Sequence, residues 1–240
     1  MITPDAIRRI ALAQQTTELN IAREHAQHLF LSAFYQQRGA HQVMFKGGTA
    51  LRIVYNSPRF SEDLDFSGFG VSVKDIEDWI ATAGEAIEHS GISVAIEESK
   101  KTSGGYLGIL ALNLSGHKVR ILFEISLRRK NGLKGRGALV TPELLPAYTI
   151  TLLREVDLVA EKLAALLDRG KPRDFFDCYF MLRKNIIPPK QRHLLSKAKQ
   201  VLAESRINFK TELADFLPRT HQPILSDFKK TLMTELERYG

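Results

Sequence analysis

The stretch that most restricts the fold of this chain is KGGTALRIVYNSPRFSEDLDF, residues 46–66. It follows the apolar run HQVMF, which is typical of a short strand, and it opens with two adjacent glycines and a threonine. ALRIVYN then has the composition of a short helix, SPRF that of a loop, and SEDLDF that of a second strand. The predicted order is therefore strand, tight turn, helix, loop and strand.

The second of these strands carries two carboxylates, Asp63 and Asp65, separated by one residue. Alternate side chains of a strand share a face, so the two carboxylates lie on one side while Leu64 and Phe66 pack on the other. Like charges this close favour a bound cation. Mg²⁺ suits such oxygen ligands, with Mn²⁺ as the second choice. D-x-D is also common in exposed turns, but the alternating apolar flanks argue against a turn here.

The turn before the first helix, Lys46-Gly47-Gly48-Thr49, is a candidate phosphate site. Glycine lets backbone N–H groups approach a phosphate closely, and a helix N-terminus attracts anions. Thr49 can donate its hydroxyl to a phosphate oxygen or cap the helix. The chain contains no GxxxxGK[ST] motif, which excludes a Walker loop. With D-x-D fourteen residues after Thr49, the turn indicates a site for a nucleoside triphosphate and Mg²⁺.

The remaining pattern predicts an α+β protein with a separate helical part. Residues 1–145 hold helices up to Gly39, a helix capped by Ser72, and the strands ISVAIEE, YLGILALNL and KVRILFEIS. From about Leu152 no segment alternates, and four helical stretches follow, so residues 146–240 are predicted to form an all-helical domain. RRKNGLKGRG, residues 128–137, reads as a linker-like loop.

The combination KGGTALR…RFSEDLDF resembles the DNA polymerase β-like nucleotidyltransferases, whose hallmark is a Gly-Gly-Ser/Thr turn followed by a D-x-D strand. Within that superfamily it is most similar to the AbiEii/AbiGii-type abortive-infection toxins of type IV toxin–antitoxin systems. EKLAALLDRGKPRDFFDCY resembles the K-L-x-A…R…R-D-x-x-D motif of that family. The resemblance implies a polymerase β-like mixed sheet with helices, and a magnesium-dependent transfer of a nucleoside monophosphate from a triphosphate to an acceptor.

Three further site residues follow only from this resemblance. On their own, the helices that carry Lys162 and Asp177 are typical of solvent-facing ion pairs. The resemblance implies that Lys162 neutralises phosphate charge or holds the nucleotide, and that Asp177 orients Lys162 or assists at the acceptor. The third carboxylate of the superfamily falls at Glu124, which would join Asp63 and Asp65 as a metal ligand. Second-rank candidates for nucleotide or phosphate binding are Lys46, Arg52, Arg59 and Ser61.

The resemblance also implies an RNA acceptor, namely the 3′ end of tRNA, and a cognate antitoxin encoded nearby that acts without a stable complex. The net charge of +7 and the five cations between Arg128 and Arg136 are compatible with a polyanionic acceptor. Three alternatives stay open: an antibiotic- or protein-modifying nucleotidyltransferase, a non-catalytic nucleotide-binding module, and a helical DNA-binding regulator. Drug-modifying enzymes often have an acidic acceptor pocket, whereas this chain is basic.

The cysteine count and hydropathy point to the cytoplasm and to no membrane partner. Cys178 is the only cysteine, which excludes a disulfide within the chain. No run of about 18 apolar residues exists, and the first twenty residues lack the apolar centre of a secretory signal. His25 and His28 are three residues apart, but no clustered cysteine or histidine accompanies them, so we do not expect a metal there.

Overall fold

The computed structural model describes residues 2–127 and 134–239, which belong to two compact units. The first unit comprises Met1–Asn56 and Phe60–Leu153, and the second comprises Ser57–Arg59 and Arg154–Gly240. Most of the predicted basic loop, residues 128–133, lies outside the described residues. In the part of the chain that is described, no helix is both long enough and apolar enough to cross a bilayer.

The first unit is a mixed β-sheet with helices. Its helices are α1 (Pro4–Ala13), α2 (Glu18–Phe34), α3 (Gly47–Tyr55) and α4 (Val73–Glu88), and its strands are β1 (Val43–Lys46), β2 (Leu64–Gly68), β3 (Val94–Thr102), β4 (Gly105–Leu114), β5 (His117–Ser126), β6 (Gly135–Val140) and β7 (Tyr148–Leu153). Among the described residues the seven strands follow the order β3-β4-β5-β2-β1-β7-β6. The β1–β7 and β2–β5 pairs are parallel and the others are antiparallel. The predicted α+β fold with a mixed sheet is confirmed.

Aromatic packing holds α2 against the centre of this sheet. The ring of Phe30 stacks on that of Phe123 in β5 at 5.2 Å, and Phe34 lies 5.8 Å from Phe66 in β2. Phe66 in turn contacts Phe45 in β1, with 5.4 Å between the ring centroids. Buried aromatic pairs of this kind dominate core energetics. They fix the three central strands β5, β2 and β1, which carry the candidate site residues.

The structure differs from the sequence analysis in three local details. The GGT segment is not a separate turn, because α3 already begins at Gly47. The second strand begins at Leu64, one residue after Asp63. The pattern of residues 135–153 predicts no strand, yet the segment holds β6 and β7, and residues 135–137 are part of β6 rather than of a linker. With two glycines and mostly exposed residues, β6 is defined by its pairing with β7 and not by its own pattern.

The second unit contains only helices and turns among its described residues. The all-helical part was predicted from residue 146, but it begins at Arg154, because β7 (Tyr148–Leu153) pairs into the sheet. The helices are α5 (Glu155–Arg169), α6 (Pro172–Arg183), α7 (Leu195–Glu204), α8 (Phe209–Leu213) and α9 (Phe228–Tyr239), with 3₁₀ turns at Pro189–Leu194, Ala214–Phe216 and Arg219–Ser226. Their core is aromatic: the Phe209 ring lies 4.9 Å from that of Phe228 and 5.7 Å from that of Phe175. Burial raises the pKa of the Cys178 thiol to about 12, which makes it a packing residue and a poor nucleophile.

Candidate active site

Gly47 brings the two halves of the sequence motif into contact. It is the first residue of α3, directly after β1, and its φ of +82° is in the left-handed region. A Cβ atom at this position would lie 2.1 Å from Oδ2 of Asp65. The sheet register explains this approach, because Lys46 in β1 pairs with Asp65 in β2. Gly47 is therefore required both by its backbone conformation and by the carboxylate that packs against it.

The start of α3 presents main-chain donors beside this carboxylate. The helix has nine residues, and its N-cap residue Lys46 makes no side-chain capping hydrogen bond. The first N–H groups of a helix have no partner within the helix, and the helix dipole favours an anion there. Gly48 adds no side chain that could cover these groups. The arrangement therefore suits a phosphate, as the sequence analysis expected.

We expect Gly47→Ala to destabilise the protein more than Gly116→Ala does. Gly116 has a similar φ of +88°, but a Cβ atom there would have no neighbour within 4 Å. Both variants place an alanine in the left-handed backbone region, which lowers the free energy of unfolding by roughly 1–2 kcal/mol. Gly47→Ala also collides with Asp65, which adds about 1–3 kcal/mol of overpacking. Thermal unfolding of both variants measures the difference, and equal midpoints would show that the Asp65 contact has no energetic weight.

The predicted metal ligands lie on and beside neighbouring central strands. Asp65 in β2 is in register with Glu124 in the parallel strand β5, while Asp63 immediately precedes β2. Asp63 and Asp65 are partly buried, whereas Glu124 is exposed. Within residues 2–127 and 134–239 no group of three or more acidic, histidine or cysteine side chains is arranged to hold a metal ion. Asp63, Asp65 and Glu124 therefore stay predicted ligands; Mg²⁺ sites usually combine one or two carboxylates with substrate phosphates.

Thr49 has a different role from either one considered in the sequence analysis. It is completely buried in the first turn of α3, and its hydroxyl donates to the main-chain oxygen of Asp63 at 2.5 Å. A hydroxyl has a single proton to donate, so in this structure that proton is not available to a phosphate. It also does not cap the helix. Thr49 instead ties α3 to the residue that carries the first carboxylate of the D-x-D motif.

Two of the second-rank candidates in the first unit also make contacts within the protein. Arg52 forms a two-pronged ion pair with Glu24, at 2.5 and 3.2 Å, and its guanidinium lies 3.9 Å from the ring centroid of Phe60. The main-chain oxygen of Ser61 accepts a hydrogen bond from Gln27 at 2.9 Å. Gln27 was missed by the sequence analysis, since a glutamine in an amphipathic helix gives no signal of its partners.

In the second unit, Asp177 lies between two cations. Its carboxylate accepts hydrogen bonds from Nε and Nη2 of Arg59, at 3.0 and 2.8 Å, and from Nζ of Lys162 at 2.7 Å. Arg59 and Asp177 are buried, and the side chain of Lys162 is 12% exposed. Burial raises the pKa of Asp177, but Arg59 and Lys162 outweigh it and hold the pKa below its usual value.

Burial and hydrogen bonding in this cluster indicate a different role for each of its three members. Arg59, predicted as a phosphate ligand, is buried and bonded to Asp177, which favours the role of an internal anchor. The burial of Asp177 favours the positioning role over contact with an acceptor. Lys162 is the member with access to solvent. The pairing of Lys162 with Asp177 agrees with the spacing of the sequence motif, whereas Arg59 is 118 residues away from Asp177 and could not have been recognised.

The first unit also contains a cavity of about 440 Å³ whose lining includes none of Asp63, Asp65 and Glu124. Residues of α1, α2, the later part of α3 and the segment after β6 line it, including His25 and His28. Burial, and then His28, lower the pKa of His25 to about 4, while Nδ1 of His28 lies 2.7 Å from the hydroxyl of Tyr148. Neither Gly47 nor Asp65 belongs to its lining, so this cavity does not include the candidate active site at β1, β2 and the start of α3.

Comparisons with known proteins bear on the family and the fold. The sequence profile of a family described as "Nucleotidyl transferase AbiEii toxin, Type IV TA system" matches residues 29–238. The crystal structure of JHP933 from Helicobacter pylori is similar with a TM-score of 0.59 at 18% identity, over 93% of this chain and 95% of that one. A candidate nucleotidyltransferase from H. pylori gives a TM-score of 0.60 at 18% identity, over 93% of this chain and 99% of that one. No curated protein sequence matches the chain.

Proposed function

The chain belongs to the AbiEii nucleotidyltransferase toxins of type IV toxin–antitoxin systems, and from this premise we propose that it transfers a nucleoside monophosphate from a triphosphate to RNA at the 3′ end of tRNA. The observation that carries the proposal is the close approach of Gly47 to Asp65, which brings the proposed phosphate site at the start of α3 beside the proposed metal ligand. The net charge of +7 supports a polyanionic acceptor.

In this proposal the first unit binds the triphosphate and Mg²⁺. The N–H groups of Gly47 and Gly48 receive the β- and γ-phosphates, and Lys46 and Ser61 stay second-rank candidates for the same role. Asp63 and Asp65 hold the metal, with Glu124 as a third ligand and Mn²⁺ as the alternative cation. When bound, the metal lowers the pKa of the attacking hydroxyl and stabilises the leaving pyrophosphate.

The chain's own residues supply charge and position for the transfer. The acceptor hydroxyl oxygen forms a bond to the α-phosphorus, the bond from that phosphorus to the β-phosphate oxygen breaks, and pyrophosphate and the hydroxyl proton are released. Lys162, carried over from the family motif, neutralises phosphate charge. Asp177 and Arg59 orient the Lys162 ammonium, consistent with their buried hydrogen bonds. Positioning and electrostatics of this kind account for most catalysis in phosphoryl transfer.

Membership in a type IV toxin family implies a cognate antitoxin. We place its gene beside that of this protein, and we propose that it opposes the toxin without forming a stable complex. The triphosphate and tRNA substrates place the activity in the cytoplasm.

The decisive test is label transfer from each of the four α-labelled nucleoside triphosphates to total bacterial tRNA, with Mg²⁺ and with a matched reaction containing a chelator. We expect label on tRNA from at least one triphosphate, and none in the chelated reaction. Label on the protein itself or on an aminoglycoside, with none on RNA, would replace the proposed acceptor by the protein- or antibiotic-modifying alternative. Absence of triphosphate binding would overturn the enzymatic proposal.

A further inference from the structure

The segment that carries Asp63 and leads into β2 is held by side chains and not by secondary structure. Ser61, Glu62 and Asp63 belong to no helix or strand, and β2 starts only at Leu64. Yet the main-chain oxygens of these three consecutive residues all accept hydrogen bonds from side chains. The geometry of the D-x-D motif therefore depends on the donors behind it.

Two buried side chains from different helices provide these hydrogen bonds. Nε2 of Gln27 in α2 donates to the oxygen of Ser61 at 2.9 Å and to that of Glu62 at 3.0 Å. The Thr49 hydroxyl in α3 donates to the oxygen of Asp63 at 2.5 Å. Both side chains are at most 1% exposed. Burying an amide costs free energy of desolvation unless the amide is hydrogen-bonded, so the buried Gln27 side chain requires these partners.

A second contact from α2 reaches the same segment. Nη2 of Arg23, one helical turn before Gln27, lies 3.1 Å from Oε1 of Glu62. Arg23 and Gln27 thus bind the side chain and the main chain of adjacent residues from one face of α2. α2 is itself fixed by its aromatic contacts with β5 and β2. The hydrogen bonds and the ion pair from α2 therefore anchor Ser61 and Glu62 to the core of the first unit.

We propose that Gln27 is a positioning residue for nucleotidyl transfer, which sets the placement of the Asp63 carboxylate at the start of β2 by holding the two residues before it. This inference rests on the proposed function. Gln27 precedes the region matched by the family profile, which starts at residue 29, so the family assignment does not include it. Misplacement of catalytic groups by about 1 Å can reduce a rate by roughly a hundredfold.

Gln27→Glu tests the proposal with a side chain of nearly the same size. Its ionised carboxylate cannot donate to two carbonyl oxygens, whereas its protonated form can donate once. At pH 8 we expect kcat to fall about 10- to 100-fold, with KM for the triphosphate within about twofold. Because burial raises the pKa of a carboxyl, the ratio of variant to native kcat should recover as the pH is lowered to 6. Amide hydrogen exchange in peptides covering residues 60–66 should accelerate at pH 8.

Two further variants make the result specific. Gln222→Glu in the second unit removes a donor of the same kind, since Nε2 of Gln222 donates to the oxygens of Ala214 and Leu217 at 2.9 and 3.1 Å. It should leave kcat and the exchange of residues 60–66 unchanged. Gln27→Met keeps the volume without any donor, so its activity should be lost without recovery at low pH.

The possible failures are distinguishable. Native-like kcat and native-like exchange in Gln27→Glu would overturn the positioning role while the transferase activity of the native protein stands. A native protein that transfers no nucleotide would overturn the proposed function, and the catalytic role of Gln27 with it. Equal losses in Gln27→Glu and Gln222→Glu would show a general effect of the substitution and would also overturn the proposal.

Discussion

Asp65→Asn is expected to reduce nucleotidyl transfer by at least about a hundredfold while leaving the fold intact, because a preorganised charged group of this kind contributes on the order of 10²–10³ to a rate. Asparagine has the size of aspartate and can occupy the same space beside Gly47. The neutral amide, however, is a poor ligand for a hard cation such as Mg²⁺. Initial rates of label transfer at saturating triphosphate, together with the thermal unfolding midpoint, measure the two effects separately.

Asp78→Asn is the matched control for this prediction. Asp78 is exposed on α4, away from the two central strands that carry the motif. Its replacement by asparagine changes the net charge by the same amount, and we expect native rates. Asp65→Asn with native activity would remove Asp65 from the mechanism. Loss of activity with a strongly lowered unfolding midpoint would instead assign Asp65 to folding.

The sequence could predict the family and a candidate site because the signals that carry them are local in sequence. The Gly-Gly-Thr turn, the D-x-D motif and the apolar residues between them lie within one strand–helix–strand segment. The family resemblance carried by these residues is confirmed by the profile that matches residues 29–238. Helical spacing also predicts α4, and alternation predicts β4 and β5, because each of these elements has one buried face.

The contacts that sequence could not supply are long-range. Gln27 bonds to residues 34 and 35 positions away, and Arg59 to a residue 118 positions away. No spacing rule connects such pairs, since the fold alone brings them together. The role of Gly47 is similar, because the need for glycine arises from the Asp65 side chain as well as from the phosphate. The edge strand β6 was missed for a related reason, as its hydrogen bonds to β7 define it.

The second large effect is expected for Asp177→Asn, which should destabilise the protein by about 3–5 kcal/mol, the usual result of removing one partner from a buried ion pair. In the variant, the cations of Arg59 and Lys162 face an amide that carries no charge and has one acceptor oxygen instead of two. Arg59 is 4% exposed and has little access to water. Chemical denaturation at pH 7 measures the loss, and a change below about 1 kcal/mol would contradict this account of the cluster.

Asp174→Asn on the same helix is the control, since Asp174 is equally buried but its partner Arg169 has a side chain that is 40% exposed and can be solvated. We expect Asp174→Asn to lower the free energy of unfolding by less than Asp177→Asn does.

The pH dependence of stability gives an independent check on Asp177. Because Arg59 and Lys162 hold the pKa of Asp177 below its ordinary value of 3.8, its stabilising contribution is complete above that pH and is lost as the pH falls through the lower native pKa. The stability difference between the native protein and Asp177→Asn should therefore be constant from neutral pH to about pH 5 and should narrow in stronger acid. A difference that narrows near neutral pH would show that another group, and not the Asp177 carboxylate, carries the charge in this cluster.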